Sequence, residues 1–353
     1  MRTIITGTGI GIPKNVVTNH DLSRVMDTSD EWIRTRSGVA ERRYVDDGQG
    51  SSDLGVMAAE QALAAAGKTK DDIDAIVFAT MTPDHFFPGN GPVLQAKMGF
   101  SERTPTFDIR QQCSGFLYGL DLADSLIRSG KYKRILLIGA DVHTPFMPWQ
   151  NNWDLTIGKS TRETTPEEYA ANTAIRDRTV LFGDGGGAVV IEASDDDSRG
   201  LLAVKLFTNG GNIEALYTPG VGFRRRPFVD HQQLDAYENI PVMEGREVFK
   251  QAVSKMPEAV REVCADAGIE PSQLDLLIVH QANLRIIEAV AKQLGLPAEK
   301  VPHNIERYGN TTAGTLPILF HELVQDGRVK PGMLICFTAL GSGLHWGAAL
   351  YRA

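Results

Sequence analysis

The stretch "ALAAAGKTKDDIDAIVFAT", residues 62–80, reads as a helix end, a turn and a buried strand, and the chain repeats it. At 263–281 stands "VCADAGIEPSQLDLLIVHQ". Gly67 pairs with Gly268 and Asp74 with Asp275, both offset by 201. Glycine supplies the left-handed residue that closes a helix, and each Asp leads into an apolar run. "IDAIVFAT" (73–80), "RILLIGA" (134–140), "LDLLIVH" (274–280) and "MLICFTAL" (333–340) are nearly continuous apolar segments. That pattern belongs to strands covered on both faces of a sheet. Between them lie amphipathic segments such as "LGVMAAEQALAAAG", with Leu54, Met57, Ala58, Ala62 and Ala65 at helical spacing.

The likeness extends further. "QQCSGFLYGLDLADSLIRSGKYK" aligns with "RYGNTTAGTLPILFHELVQDGRVK", pairing Gly130 with Gly327 at an offset of 197 and setting Cys113 opposite Asn310. The period is too long for a solenoid. The expectation is an α/β fold of two duplicated halves, 1–195 and 196–353, joined through the polar run "ASDDDSRG" (193–200). Equivalent helix starts should then meet near a pseudo-twofold axis.

The 353 residues are 42% hydrophobic and carry a formal net charge of -8, which argues against nucleic acid as the main partner. Three widely spaced cysteines, with no CxxC, read as reduced thiols in a cytoplasmic protein and not as a disulfide framework or metal site. No apolar run reaches the roughly 18 residues of a membrane span.

Cys113 precedes a helix whose apolar face includes Phe116, Leu120, Ala123 and Ile127. A thiol there feels the positive end of the helix and is expected to ionise more easily; a buried structural cysteine is the alternative. Cys264, mid-helix, and Cys336, mid-strand, fit that alternative. His280 ends the strand "LDLLIVH", where α/β sheets place ligands, though a satisfied core histidine reads the same. Asn310 in "YGNTTAG" reads alone as a turn residue. "TGTGIGIP" (6–13) imitates a dinucleotide fingerprint but has Pro13 in the third glycine's slot. "FGDGGGAVV" (182–190) reads as a turn between strands, and "LGSGLHWGAAL" (340–350) as a loop able to present backbone N–H groups to an oxyanion.

Taken together, "TSDEWIRTRSGVAERR", "CSG", "FGDGGGA", "MEGREVFK", "HQANLRI", "GNTTAGT" and "GSGLHWGAAL" resemble the β-ketoacyl-acyl carrier protein synthase III family of the thiolase superfamily, nearly end to end. The resemblance implies a thiolase-like, five-layered αβαβα fold. It also implies an acyltransferase that condenses an acyl-CoA primer with malonyl-acyl carrier protein to start fatty acid synthesis. By the same resemblance Cys113 is the acyl-accepting nucleophile, and His280 with Asn310 drives decarboxylation. The backbones of Cys113 and Ser342 form the oxyanion hole. Thr28, Trp32, Arg36 and Arg178 match the nucleotide end of the CoA site, and Phe249, Ala282 and Asn283 the pantetheine tunnel. Arg285 matches a carrier-docking position, where a basic side chain suits an acidic carrier. Phe87 matches the residue that caps the acyl pocket of the other protomer in a homodimer. No permanently bound cofactor, metal, nucleic acid or membrane is implied. Thiolases, which use a second active-site cysteine, and hydroxymethylglutaryl-CoA synthases, which use a glutamate, fit less well; plant-type polyketide synthases share the Cys-His-Asn set.

Two departures stand out. Residues 142–175 form an insertion with two tryptophans and a helix start at "TTPEEYAA", where Thr165 caps and Pro166 opens the helix. It either reshapes primer choice beside the acyl tunnel or dimer interface, or is a surface excursion. Ser342 replaces a common glycine, which is harmless to a backbone donor only if its φ stays negative. Alternatives to the malonate condensation are a secondary-metabolism relative that transfers or condenses acyl groups without malonate, and a silent acyl-binding subunit. A dinucleotide oxidoreductase is the weakest.

Overall fold

The computed structural model of the chain describes residues 2–147 and 152–353. Its main strands are β1 (Arg2–Gly11), β2 (Ala75–Ala79), β3 (Thr106–Ile109), β4 (Arg134–Asp141), β5 (Gly185–Ser194), β6 (Gly200–Thr208), β7 (Leu276–Val279), β8 (Leu334–Gly341) and β9 (His345–Arg352). The main helices are α1 (Asp30–Ser37), α2 (Ser51–Ala66), α3 (Asn90–Met98), α4 (Gly115–Arg128), α5 (Pro166–Ala174), α6 (Gly245–Asp266), α7 (Leu284–Leu294) and α8 (Thr315–Gln325). One sheet runs β1-β5-β4-β2-β3 and the other β7-β8-β9-β6. In each, two parallel strands (β2 and β4, β7 and β8) are extended by antiparallel ones (β5 and β1, β9 and β6). Four strands of each sheet therefore correspond in order and direction.

Side-chain alternation builds the layers. In β2, Ala75 and Val77 face one way and Ile76 and Phe78 the other. In β7, Leu276 and Ile278 join the same cluster as Ala75 and Val77, while Leu277 and Val279 face away. That shared cluster holds Phe116 and Leu120 of α4 and Leu316 and Phe320 of α8, so these helices lie between the sheets. Phe337 of β8 is wholly buried there, with ring centroids 6.1 Å from Phe116 and 5.2 Å from Phe320. Each such side chain contributes about 2–3 kcal/mol by leaving water. Helices α2 and α3 cover the outer face of the first sheet, and α6 and α7 that of the second. The result is five layers, αβαβα.

The duplication shows in matched details. The Asp74 carboxylate accepts from the Lys133 and Arg134 backbone N–H at 2.7 and 2.9 Å, and Asp275 accepts from Leu334 at 2.8 Å. Each Asp thus pins the start of its strand to the neighbouring strand. The register at the central helices differs from the sequence pairing. Gln112 and Thr312 are both left-handed, with φ of 52° and 49°. The residue before each is nearly superposable, Gln111 at φ −97°, ψ 24° and Thr311 at φ −94°, ψ 24°. Cys113 therefore corresponds to Ala313, not Asn310. Helix α4 has 14 residues and α8 has 11, so an offset of 200 at their starts becomes 197 at Gly130 and Gly327.

The glycine runs have a packing role. A Cβ on Gly7, Gly9 or Gly11 of β1 would lie 2.1, 2.2 and 2.0 Å from the carbonyl oxygens of Ala62, Ala58 and Leu54. Alternate strand residues here match successive turns of α2, and only glycine lets the two backbones come this close. This leaves no place for a nucleotide fingerprint. Contact with β1 also turns α2, so that Ala59 and Leu63 are buried with Leu54, Ala58 and Ala62, whereas Met57 and Ala65 are exposed. Gly185, Gly186 and Gly187 lie within β5, not in a turn; a Cβ on Gly187 would meet Pro317 at 2.8 Å.

Candidate active site

Cys113 sits in the short 3-10 turn Gln112–Ser114 that leads into α4. The end of β8 presses on it: a Cβ on Gly341 would lie 2.8 Å from the Cys113 nitrogen and 3.1 Å from its Cβ. The residue is 7% exposed. Burial, reinforced by the Asp141 carboxylate, pushes the thiol up to about 12. The lowering expected from the helix start is outweighed, because desolvation of a buried thiolate exceeds what a helix terminus returns.

His280 follows β7 and is 2% exposed. Burial pushes its pKa down to about 3, so the imidazole is neutral. Its Nδ1 lies 2.7 Å from Thr315 Oγ1, and that hydroxyl also lies 3.0 Å from the Thr312 carbonyl oxygen. The single hydroxyl proton serves one of the two acceptors at a time, so Thr315 governs the tautomer of His280. Asn310 is tied to the other half: its N–H donates to Leu181 O at 2.8 Å, and Gly183 N–H donates to its carbonyl at 3.1 Å. Its Oδ1 accepts from Thr312 N–H at 2.9 Å, which orients the carboxamide and leaves its N–H donors for the cleft. Asp141, at the end of β4, binds both halves. It accepts from the Thr80 and Thr82 hydroxyls and the Met81 N–H of the first half, and from the Thr312 hydroxyl and Ala313 N–H of the second.

Cys113, His280, Asn310 and Ser342 line one cleft of about 1490 Å³, together with Phe249, Ala282 and Asn283. Ser342 lies outside the left-handed region, which is occupied next door by Gly343 at φ 140°. Its hydroxyl donates to Leu216 O, turning the side chain away from the backbone donor. Asn283 caps α7 and donates from Nδ2 to the Arg36 carbonyl at 2.9 Å, linking the cleft to α1.

The remaining expected residues lie outside the cleft lining. Trp32 on α1 carries two guanidinium groups over its ring, Arg36 at 4.4 Å and Arg176 at 4.8 Å. Arg178, expected to flank the nucleotide beside Trp32, instead donates to Pro241 O at 2.9 Å and pairs with Asp177. Arg176 occupies the position expected of Arg178, because the insertion upstream disturbs the alignment. The Thr28 hydroxyl is buried and has no hydrogen-bond partner among the described residues. Arg285 is exposed, 5.9 Å from the ring of Phe249. Phe87 is 79% exposed, beside a cluster in which Phe86 meets Phe223 and Phe228 at 5.2 and 5.3 Å.

Of the insertion, Trp149 lies outside the described residues. Its beginning, with His143, Pro145 and Phe146, forms cleft wall. Trp153 stacks on Tyr44 at 5.8 Å. Helix α5 starts at a reciprocal cap between Thr165 and Glu168. It packs beneath the segment before α1, where Asn172 donates to Val25 O and Thr173 accepts from Asp27 N–H. The body of the insertion thus supports the Trp32 side of the site. The sequence reading missed Thr315, Arg176 and His143. Only Thr315 had a local signal, its place in "GNTTAGT".

Two family models match the chain. Residues 107–158 and 166–210 match 3-oxoacyl-[acyl-carrier-protein] synthase III, and residues 264–353 its C-terminal part. The β-ketoacyl-[acyl-carrier-protein] synthase III of Aquifex aeolicus is 41% identical over 352 residues, covering 100% of both chains. The enzyme of that name from Granulibacter bethesdensis is 41% identical, with 99% of each covered. The crystal structure of the Aquifex aeolicus synthase superposes with a TM-score of 0.84 at 40% identity, covering 99% of this chain and 100% of that one. The Pseudomonas aeruginosa synthase III structure gives 0.85 at 35% identity, covering 100% of this chain and 98% of that one. This chain, with its five layers and its Cys-His-Asn cleft, belongs to the β-ketoacyl-acyl carrier protein synthase III family.

Proposed function

We propose that the chain condenses an acyl-CoA primer with malonyl-acyl carrier protein through an acyl-Cys113 intermediate, and so initiates fatty acid synthesis. The observation that carries this is the convergence of Cys113, His280 and Asn310 on one cleft, with Thr315 and Thr312 fixing the two nitrogen-bearing side chains. In the first half-reaction the Cys113 sulfur attacks the primer's thioester carbonyl, CoA leaves, and the thiol proton ends on the CoA sulfur. One thioester replaces another, so little energy is lost. The Cys113 and Ser342 N–H groups hold the oxyanion.

In the second half-reaction the malonyl carboxylate leaves as carbon dioxide and its electron pair becomes an enolate. His280 Nε2–H and Asn310 Nδ2–H donate to the enolate oxygen; this requires Thr315 to donate to Nδ1. A neutral imidazole suits this role, since the step needs a donor and no base. The enolate carbon then attacks acyl-Cys113 and releases the thiolate, which regains a proton. Trp32, Arg36 and Arg176 hold the nucleotide end of CoA, with Thr28 beside them, and Phe249, Ala282 and Asn283 line the pantetheine path. Arg285 offers positive charge to the acidic carrier. The active form is a homodimer in which Phe87 caps the partner's acyl pocket, working in the cytoplasm; among the described residues no helix is long and apolar enough to cross a membrane.

Intact-mass measurement after incubation with acyl-CoAs tests the reading. An acyl mass should appear on the Cys113 peptide and vanish in Cys113→Ala. His280→Ala and Asn310→Ala should acylate but release no carbon dioxide from malonyl thioester. Acylation persisting in Cys113→Ala refutes it, and condensation without carbon dioxide release would favour a malonate-independent relative.

A further inference from the structure

One wall of the cleft carries a histidine that the condensation does not use. His143 lies just beyond β4, its backbone N–H donating to Asp184 Oδ1 at 2.7 Å. Its imidazole stacks on Phe182 at 4.2 Å and 18°, with Phe146 at 5.8 Å. The residue is 2% exposed, yet it lines the same cleft as Cys113. Both ring nitrogens are buried and have no hydrogen-bond partner among the described residues. Phe182 forms a bridge to Asn310, so the imidazole is one aromatic ring away from the backbone that carries the enolate donor.

A cleft wall that receives only hydrocarbon gains nothing from such a ring. Val142, Phe146, Phe182 and Met81 supply apolar surface nearby, and buried polar atoms in proteins are almost always paired. Burial also pushes His143 down to about 3, which keeps the ring neutral. A neutral imidazole offers one N–H donor and one lone pair in its plane. A hydroxyl satisfies either nitrogen and a ketone oxygen satisfies the N–H. A carboxylate would need a protonated ring, which burial opposes.

We propose that His143 is a specificity-determining residue, and that the preferred primer is an acyl thioester whose chain bears a hydroxyl or keto oxygen hydrogen-bonded to its imidazole. The inference rests on the condensing role assigned to Cys113 and specifies its substrate class.

The test follows acylation of Cys113 by intact mass with matched short acyl-CoAs: unsubstituted chains, chains of equal length with a hydroxyl or ketone at successive positions, and one ending in a carboxylate. The wild-type protein should load one oxygen-bearing isomer at least about tenfold faster than its hydrocarbon match. His143→Leu should abolish or invert that ratio while still loading hydrocarbon chains, and His143→Gln, which keeps a donor and an acceptor, should retain part of it. Equal loading of hydrocarbon and oxygenated chains by the wild-type protein overturns the His143 assignment alone, even if the variants fail to fold. A preference for the carboxylate chain, or a ratio unchanged in folded His143→Leu, overturns it too. If no acyl-CoA loads Cys113, the condensing role falls with it.

Discussion

Replacing Thr315 by valine removes one hydroxyl and keeps nearly the same shape. Among the described residues that hydroxyl is the sole hydrogen-bond partner of His280 Nδ1, at 2.7 Å, and both residues are buried. Without it Nδ1 is left unpaired and the tautomer with a proton on Nε2 loses its support. A buried polar atom stripped of its partner costs about 1–3 kcal/mol. If that loss falls on the enolate-forming step, the rate drops roughly 5- to 150-fold. The assay is single-turnover carbon dioxide release from malonyl-acyl carrier protein by pre-acylated enzyme, beside mass-spectrometric acylation of Cys113. Decarboxylation should fall by that factor while acylation changes far less, and Thr315→Ser should restore most of the rate. Equal loss in Thr315→Ser and Thr315→Val would refute the reasoning, since it would make packing, not the hydroxyl, responsible.

Other consequences are simpler to check. Gly9→Ala places a methyl 2.2 Å from the Ala58 carbonyl oxygen and 2.6 Å from the Ala62 nitrogen; urea unfolding should show a loss of about 3 kcal/mol or more. Iodoacetamide should modify Cys113 alone in the native protein, because Cys264 and Cys336 are wholly buried away from the cleft, and peptide mapping reads the result. The buried histidines should lower stability on acidification from pH 6 to 4. His143 and His280, both held near 3, resist a proton that the unfolded chain takes up below about 6.5. Asp184, raised to about 6, works the other way by keeping its proton in the folded state. These three groups alone contribute a slope on the order of 1.4 kcal/mol per pH unit, and Asp141, also raised by burial, opposes it; denaturation of wild type beside His143→Gln at constant ionic strength should show the histidine part as the difference in slope.

The strand runs, the helix-closing glycines at 67 and 268 and the cap at Thr165 were legible because each depends on its own neighbours in sequence. The register of Cys113 was not: α8 is three residues shorter than α4, and a pairing anchored on Gly130 and Gly327 slides by that amount at the other end. The glycines of β5 misled, and those of β1 suggested no role of their own, because their reason lies in α8 and α2, which contact them from distant parts of the chain. Arg178 was expected where Arg176 stands because an insertion separates it from the last firm landmark. The ionisation of Cys113 was misjudged in sign, since the helix start is visible in sequence whereas burial and the nearby Asp141 are not. His143 stands two residues after "GAD" and gives no local hint that it will line the cleft.

Asp141 has one further consequence. By the offset of 200 it stands where Gly341 stands in the other half, and Ala313 stands where Cys113 does. Gly341 leaves room beside the Cys113 nitrogen, but Asp141 sends its own carboxylate to the Ala313 N–H at 3.1 Å. The chain therefore contains two copies of one turn. In one copy a carboxyl group built into the chain fills the place, and the methyl of Ala313 stands where the sulfur does. In the other the place is kept clear, and under the proposed condensation the charge it would hold arises only when a substrate reacts. On that proposal the silent copy is a structural likeness, carried within the same molecule, of the intermediate that the working copy stabilises.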